Sequence, residues 1–583
     1  MTGTVPMINT KINKIEGKIN DLMEVLLSPV KIKNEKCSSL PNGSNVASDF
    51  HDNPENENDL INWKVDVFQS SDQWMAILSN FSTSYNVVNI SMVLPILESM
   101  VSSKTESNSD QASSSLCASS LLGGMIVGQL AGGWLGDVLG RLNALSVVMS
   151  VQLFASLGSS IFVPSHQSNN DLDRVLGILA IWRFVLGMGA GGVYPLAALL
   201  SEESSGNISK DKKNKIMSFV FASQGVAFCL VPLLTFVLLQ IFASSSDSKD
   251  EVDKLNIVWR LILGFGAIPS VVLIIILLNK RCRGRYAHTN VPSDDEVNDS
   301  HHEDTPGFIV PSATNESIHD DENQSSLVQV EENNQCPSEL PLDYERESNI
   351  LDSKSEGLWQ SISNEPQIVR KLIGTALTWF LFDLLFYGNT LFQPIVLKAA
   401  FGNTHNRQNS DSPIHSLNAT AIRSILINVI AIPGYVLSFL LMGKKCLCLC
   451  NVVQTPKWIQ TQGFIFMAVL YSIISGLWNE LRSSSSNAAW LLVLYGGTFF
   501  FANYGPNTTT FIMPSIVYSP SCTCRSTLNG ICAAAGKFGA LLGATFFAPL
   551  SDAYGDQFVM GLCALISMIA AILTSICVPV NNH

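Results

Sequence analysis

The stretch TWFLFDLLFYG at 378–388 carries a single carboxylate, Asp383, inside an oily run. Trp379, Asp383 and Tyr387 recur at i, i+4 and i+8. At about 3.6 residues per turn that spacing stacks them on one helix face, with a drift of about 40° per step. One face is thus polar and aromatic while the rest is apolar. A second charge, Lys537, lies in AAAGKFGA among small residues and is the one Lys in the central part of any apolar segment. An unpaired ammonium there is costly, whereas one facing Asp383 or an anion is neutralised.

Each of these residues also has a plainer reading. Asp383 and Lys537 would serve equally as a structural salt bridge, and Trp379 and Tyr387 as interface-belt aromatics, although 379–387 lies well inside its apolar run. Asn507 and Gln224 suit hydrogen bonds to another helix. Tyr194 precedes Pro195, a pair that also reads as a helix break, and Glu202 and Glu203 fit solvated or gating positions at a helix end. Enzymatic chemistry is disfavoured: the apolar segments hold no histidine, no paired carboxylates and no nucleotide loop. No metal, cofactor or nucleic-acid site is expected.

The solvent around these residues follows from the whole chain. Of 583 residues 47% are hydrophobic and 14% charged, with mean hydropathy +0.26. Windows of about 20 apolar residues, the length that crosses a bilayer, recur near 74–98, 114–136, 143–163, 173–201, 214–243, 258–280, 369–399, 417–443, 457–477, 488–517, 526–549 and 556–578. The expected fold is an all-α membrane protein of twelve transmembrane helices in two six-helix halves. A cytosolic tail (1–70) precedes the first half (71–282), and a disordered acidic cytosolic linker (283–367) separates it from the second (368–583).

Between 291 and 360 stand 18 Asp and Glu against Arg346 and Lys354, a net of −16 that exceeds the −13 of the whole chain. The acidity therefore belongs to the linker, and the overall pI of about 5.2 says nothing about a substrate. Lys and Arg cluster in the tail and after every even-numbered span, as at Arg141, Lys210, Arg281, Lys444 and Arg525. The positive-inside tendency then puts both termini and the linker in the cytoplasm, and the 1–70 tail carries no signal-peptide pattern. A plasma-membrane location is expected. Thirteen cysteines show neither metal-ligand nor paired spacing. KKCLCLC at 444–450 is a weak palmitoylation candidate, and Asn418, in NAT, is placed in an outward loop where it could carry a glycan.

Two groups of six spans joined by a cytoplasmic linker resemble the major facilitator superfamily. GGWLGDVLGR at 132–141 resembles that superfamily's loop motif between spans 2 and 3, with Gly133, Leu135, Asp137, Gly140 and Arg141 in place and Leu142 where a second base is usual. Glycines allow a tight turn and close helix approach, and Asp137 can cap or pair at a helix end and so latch an inner gate. RFVLG at 183–187 resembles the Arg-x-x-x-Gly element of span 4, and a buried Arg183 needs a partner or a pathway; Arg183 is expected with Gly133, Asp137, Gly140 and Arg141 among the gating residues.

Four separated strings narrow the resemblance: GGVYPLAALLSEE (191–203), SQG (223–225), TWFLFDLLFYG (378–388), and YGPNTTTFIMPS with GICAAAGKFGA (504–515 and 530–540). In order and placement they resemble the phosphate:proton symporter family. The resemblance implies a secondary transporter working by alternating access, with inorganic phosphate held near the bilayer midplane by Tyr194, Gln224, Trp379, Asp383, Tyr387, Asn507 and Lys537. Phosphate suits hydroxyl, amide and indole donors plus one fixed cation. That family carries two aspartates in span 1 and one before the Tyr-Pro of span 4. Here those positions read Thr83, Asn86 and Val193, so coupling to protons is expected to be weaker than or different from the family's, with another driving ion as one alternative. A carrier of another anion, such as a glycerophosphodiester, and a non-transporting phosphate sensor stay open.

Overall fold

The computed structural model describes residues 70–100, 108–164, 172–206, 208–242, 248–289, 358–401, 413–446, 452–483 and 485–579. The 1–69 tail and the 290–357 acidic segment lie outside the described residues, as do Cys448 and Cys450 of the palmitoylation candidate.

Twelve helical stretches follow in chain order among the described residues. They are α1 (Ser71–Val88, resumed as Ile90–Ser99), α2 (Asn108–Leu139), α3 (Arg141–Ile161), α4 (Leu172–Glu203), α5 (Lys210–Phe242) and α6 (Ser248–Phe265, resumed as Ala267–Thr289). Then come α7 (Ile368–Leu372, a π-turn at Ile373–Leu377, and Thr378–Phe401), α8 (Pro413–Leu441), α9 (Pro456–Gly476), α10 (Ser485–Ala502, a π-turn at Asn503–Asn507, and Thr508–Val517), α11 (Arg525–Tyr554) and α12 (Asp556–Cys577). A short helix, Leu358–Asn364, precedes α7, and Lys445–Cys446 pairs antiparallel with Val452–Val453 between α8 and α9.

Eight helical segments among the described residues are long and apolar enough to cross a membrane. Their outward surface is oily: Phe154, Ile181, Trp490 and Ile576 are each at least 60% exposed. Water would penalise such a surface and hydrocarbon does not. The chain is a multi-pass integral membrane protein.

Without a hydrophobic drive between helices in lipid, close approach has to come from small side chains. Gly128 and Gly132 of α2 meet α4 so tightly that a Cβ on Gly128 would stand 2.2 Å from the Met188 carbonyl oxygen, and one on Gly132 would stand 2.4 Å from the Gly192 Cα. Within each half α4 packs on α2 and α3, α7 on α11, and α9 on α12; across the halves α2 packs on α11 and α5 on α8.

Helix boundaries differ from the apolar windows where polar turns extend a helix past the oily run. α6 begins at Ser248 rather than 258, with SKDEVDK as its first turns, and α8 begins at Pro413 rather than 417. Two expectations about α8 fail. Asn418 stands inside α8 with a half-buried side chain rather than in a loop, and His415 falls in the first turn of a spanning helix.

Candidate functional site

Two rare intramembrane charges, Asp383 and Lys537, meet at the centre. Lys537 Nζ of α11 donates to Asp383 Oδ2 of α7 at 2.6 Å, and both side chains are about 95% buried, with 5% and 3% exposed. The same ammonium donates to the Tyr387 hydroxyl at 3.2 Å and stands 4.6 Å from the Tyr387 ring centre and 5.6 Å from that of Tyr194. A buried ion pair left unsupported costs more desolvation than it returns, and the aromatic faces and hydroxyl supply that support. Gly536, just before Lys537, leaves room for the Trp379 indole: a Cβ there would stand 2.6 Å from the indole Cδ1.

These groups line a cavity of about 10 Å³ together with Gln224, Asn507, Phe221 and Phe386. That is roughly room for one water, so the site is narrow and closed. All seven residues expected at the substrate site from the sequence line it: Tyr194 from α4, Gln224 from α5, Trp379, Asp383 and Tyr387 from α7, Asn507 from α10 and Lys537 from α11. Asn507 is aimed by the π-turn before Thr508, where Gly505 leaves helical geometry (φ −100°, ψ −105°) ahead of Pro506. π-turns of this kind often mark functional positions in helices.

Three contributors escaped the sequence reading. Phe221 and Phe386 complete the wall. Tyr435 of α8 stands behind it, its hydroxyl accepting from Gln224 Nε2 at 3.2 Å and from Asn507 Nδ2 at 2.9 Å. Gln224 and Asn507 therefore both hydrogen-bond another helix and line the cavity. The signal for Tyr435 was a lone phenol after Pro433 and Gly434 in an apolar run.

A second cluster joins the halves at one end of the bundle. Asp137, at the end of α2, accepts from Ser526 N at 3.0 Å, Thr527 N at 2.7 Å and Thr527 Oγ1 at 2.7 Å, all at the start of α11. The first N–H groups of a helix have no intrahelical acceptor, and here a carboxylate from the other half supplies one. Arg141 bridges Asp137 at 3.3 Å and Glu203 at 3.2 Å, and Arg525 bridges Glu202 at 3.0 Å and Glu203 at 3.6 Å. Gly133 makes the approach possible, because a Cβ there would lie 2.6 Å from the Ser526 carbonyl oxygen. Gly140 turns the chain from α2 into α3 at φ +79°, a left-handed geometry that suits glycine.

Arg183, grouped with the gate in the sequence reading, does not join that cluster. It is fully buried and donates to the Asn86 carbonyl at 2.9 Å, the Val87 carbonyl at 3.2 Å and Asn89 Oδ1 at 2.8 Å. It caps the break in α1, where freed carbonyls need a donor.

The Thr83 and Asn86 positions sit in a neutral network. Thr83 Oγ1 donates to Gln152 Oε1 at 2.9 Å, Gln152 Nε2 to Ser82 Oγ at 2.8 Å, and Asn86 Nδ2 to the Ser82 and Gly266 carbonyls at 3.0 and 2.9 Å. Val193 is buried in the apolar core beside Tyr194. None of these side chains titrates.

Residues 76–518 match the sequence pattern described as Major Facilitator Superfamily. The chain is similar to Inorganic phosphate transporter 1-4 of Arabidopsis thaliana, 27% identical over 431 residues that make up 72% of this chain and 71% of the relative. It is also similar to Low affinity inorganic phosphate transporter 4 of Petunia hybrida, 28% identical over 422 residues, 71% of this chain and 69% of the relative. Its fold is similar to the MFS proton:xylose symporter XylE bound to 6-bromo-6-deoxy-D-glucose, with TM-score 0.60 at 16% identity over 88% of this chain and 96% of that one.

Proposed function

The chain belongs to the Major Facilitator Superfamily, and from that premise we propose that it is a secondary transporter, not an enzyme, moving inorganic phosphate by alternating access. The carrying observation is the buried Lys537–Asp383 pair ringed by Tyr194, Gln224, Trp379, Tyr387 and Asn507. Relatives named as inorganic phosphate transporters support the choice of anion.

Phosphate entering this site competes with Asp383 for the Lys537 ammonium while the phenol, indole and amide groups donate to its remaining oxygens. A bare dianion beside the Asp383 carboxylate is repelled. Monobasic phosphate instead donates a P–OH to that carboxylate, so the site selects the protonated form. Tyr194 and Gln224 belong to the first six helices and the other five residues to the second, so rocking of the halves exposes the anion alternately to each side. Opening the latched end requires Asp137 to leave the start of α11. Basic residues beside that end, among them Arg141, Lys213 and Arg525, support a cytoplasmic placement for it and for both termini; a plasma membrane is the proposed location. With Thr83, Asn86 and Val193 in a non-titrating setting, Asp383 is the carboxylate left at the centre to couple protons.

The test is uptake of labelled phosphate into proteoliposomes under competition by sulfate and glycerophosphodiesters, with pH and sodium varied independently. Saturable uptake suppressed by unlabelled phosphate and little affected by the others is expected. Suppression by an organic phosphodiester but not by phosphate would reassign the substrate.

A further inference from the structure

Cys522 and Cys524 stand in the turn between α10 and α11, and their Sγ atoms lie 3.1 Å apart, although the sequence reading saw no paired cysteines. Both are free thiols. Cys522 is half-buried and Cys524 is 1% exposed. The turn is held in place: Thr523 Oγ1 pairs with Ser361 Oγ at 2.8 Å, and Cys522 N donates to the Ser519 carbonyl at 3.0 Å. The Cys524 thiol donates to Cys522 and holds it below the ordinary thiol range, which raises the share of the thiolate that attacks disulfides.

The pair adjoins the latch. Cys524 is the N-cap of α11, followed by Arg525 and by Ser526 and Thr527, whose N–H groups donate to Asp137. The directions of those N–H groups follow from the backbone at Cys524.

We propose that Cys522–Thr523–Cys524 is a redox modification site, oxidised to a disulfide by a low-molecular-weight disulfide such as oxidised glutathione, and that oxidation loosens the α2–α11 latch. The half-buried Cys522 thiolate attacks one sulfur of the small disulfide, forming a mixed disulfide and releasing one thiolate. Cys524, its thiol proton passing to solvent, then attacks Cys522 Sγ, forming the intrachain bond and releasing the second small thiolate. Two protein thiols and one small disulfide thus become one protein disulfide and two small thiols, and a dithiol reductant reverses both steps. Closing a ring across three residues fixes dihedrals at the N-cap, turns the Ser526 and Thr527 N–H groups away from Asp137 and displaces Arg525 from Glu202. Such a short, strained disulfide belongs with the labile, regulatory kind.

The experiment uses the full-length protein in lipid nanodiscs, treated with oxidised glutathione and then with dithiothreitol. Mass spectrometry of the peptide spanning 522–524 should show loss of two hydrogens, and amide exchange at Ser526 and Thr527 should quicken by about fivefold, as expected for a lost helix cap, with both changes reversed by the reductant. Cys522→Ser and Cys524→Ser should show neither the intrachain disulfide nor the change in exchange. A glutathione adduct alone, no mass change, or a disulfide with unchanged exchange at 526–527 would overturn the proposal. Neither readout involves substrate, so its failure is separate from failure of the phosphate reading.

Discussion

Tyr435 ties the two sides of the central cavity together, because one phenol oxygen accepts from Gln224 of the first half and Asn507 of the second. Removing that oxygen leaves two buried amides without this acceptor and free to turn, at a cost of about 1–3 kcal/mol. Tyr435→Phe should therefore keep its fold and raise the phosphate KM about tenfold, measured by uptake in proteoliposomes; an unchanged KM would place Tyr435 outside the working site. The sequence exposed Asp383 and Lys537 because charges are rare in oily runs, and Trp379 and Tyr387 because they share the face of Asp383. Tyr435, Phe221 and Phe386 were hidden, since an aromatic residue in an apolar helix is ordinary until its neighbours on other helices are known. The cysteine pair was hidden for a related reason: a spacing of two does not bring sulfurs together unless the turn folds back.

The helices depend on close glycine approach at particular points, which separates essential glycines from tolerant ones. Gly128→Ala would drive a Cβ into the Met188 carbonyl, whereas no described residue lies within 4 Å of a Cβ on Gly177 of the same packed pair. Thermal unfolding in nanodiscs should show Gly128→Ala destabilised by about 1–3 kcal/mol, while Gly177→Ala is neutral or stabilised by about 0.5–1 kcal/mol. Equal effects would refute the packing argument.

The approach to α7 holds a buried carboxylate, Glu365, which accepts from Lys371 at 2.5 Å and from Ser519 N and Oγ at 3.1 Å each. Burial pushes this carboxyl up, but the Lys371 and Ser519 donors outweigh it and hold the group below its ordinary value. A depressed carboxylate contributes stability in full above its unfolded value, and that contribution is lost as pH falls through the folded one. The melting-temperature gap between wild type and Glu365→Gln should thus be widest near neutrality and narrow as pH drops below about 4.3. A gap that widens on acidification would reverse the sign. Helix existence and order were legible from apolar runs, but the break at Asn89 and the π-turns were not, because they answer to tertiary neighbours such as Arg183 and Gly463.

For the molecule as a carrier, the neutral network predicts weak proton drive. Carriers coupled to protons need a buried group that titrates between the two access states, and Thr83, Asn86 and Val193 supply none. With the concentration of monobasic phosphate held equal on the two sides, phosphate flux in proteoliposomes should respond little to an imposed pH gradient, and the response that remains should vanish in Asp383→Asn. Strong uphill accumulation driven by inward protons and persisting in Asp383→Asn would refute this reading.

The two-half architecture was legible from the spacing of apolar windows and from Asp137 and Arg141. That Asp137 caps a helix of the opposite half was not, since no sequence pattern links position 137 to 526. The central claim is that one buried cation attracts the anion. Truncating Lys537 alone would strand the Asp383 carboxylate, so the most direct measurement compares saturable uptake of labelled phosphate by wild type and by Lys537→Ala combined with Asp383→Asn, both reconstituted at equal amounts and fixed pH. Saturable uptake by wild type and none above empty liposomes by the folded double variant is the predicted result; wild-type affinity in the double variant would contradict it.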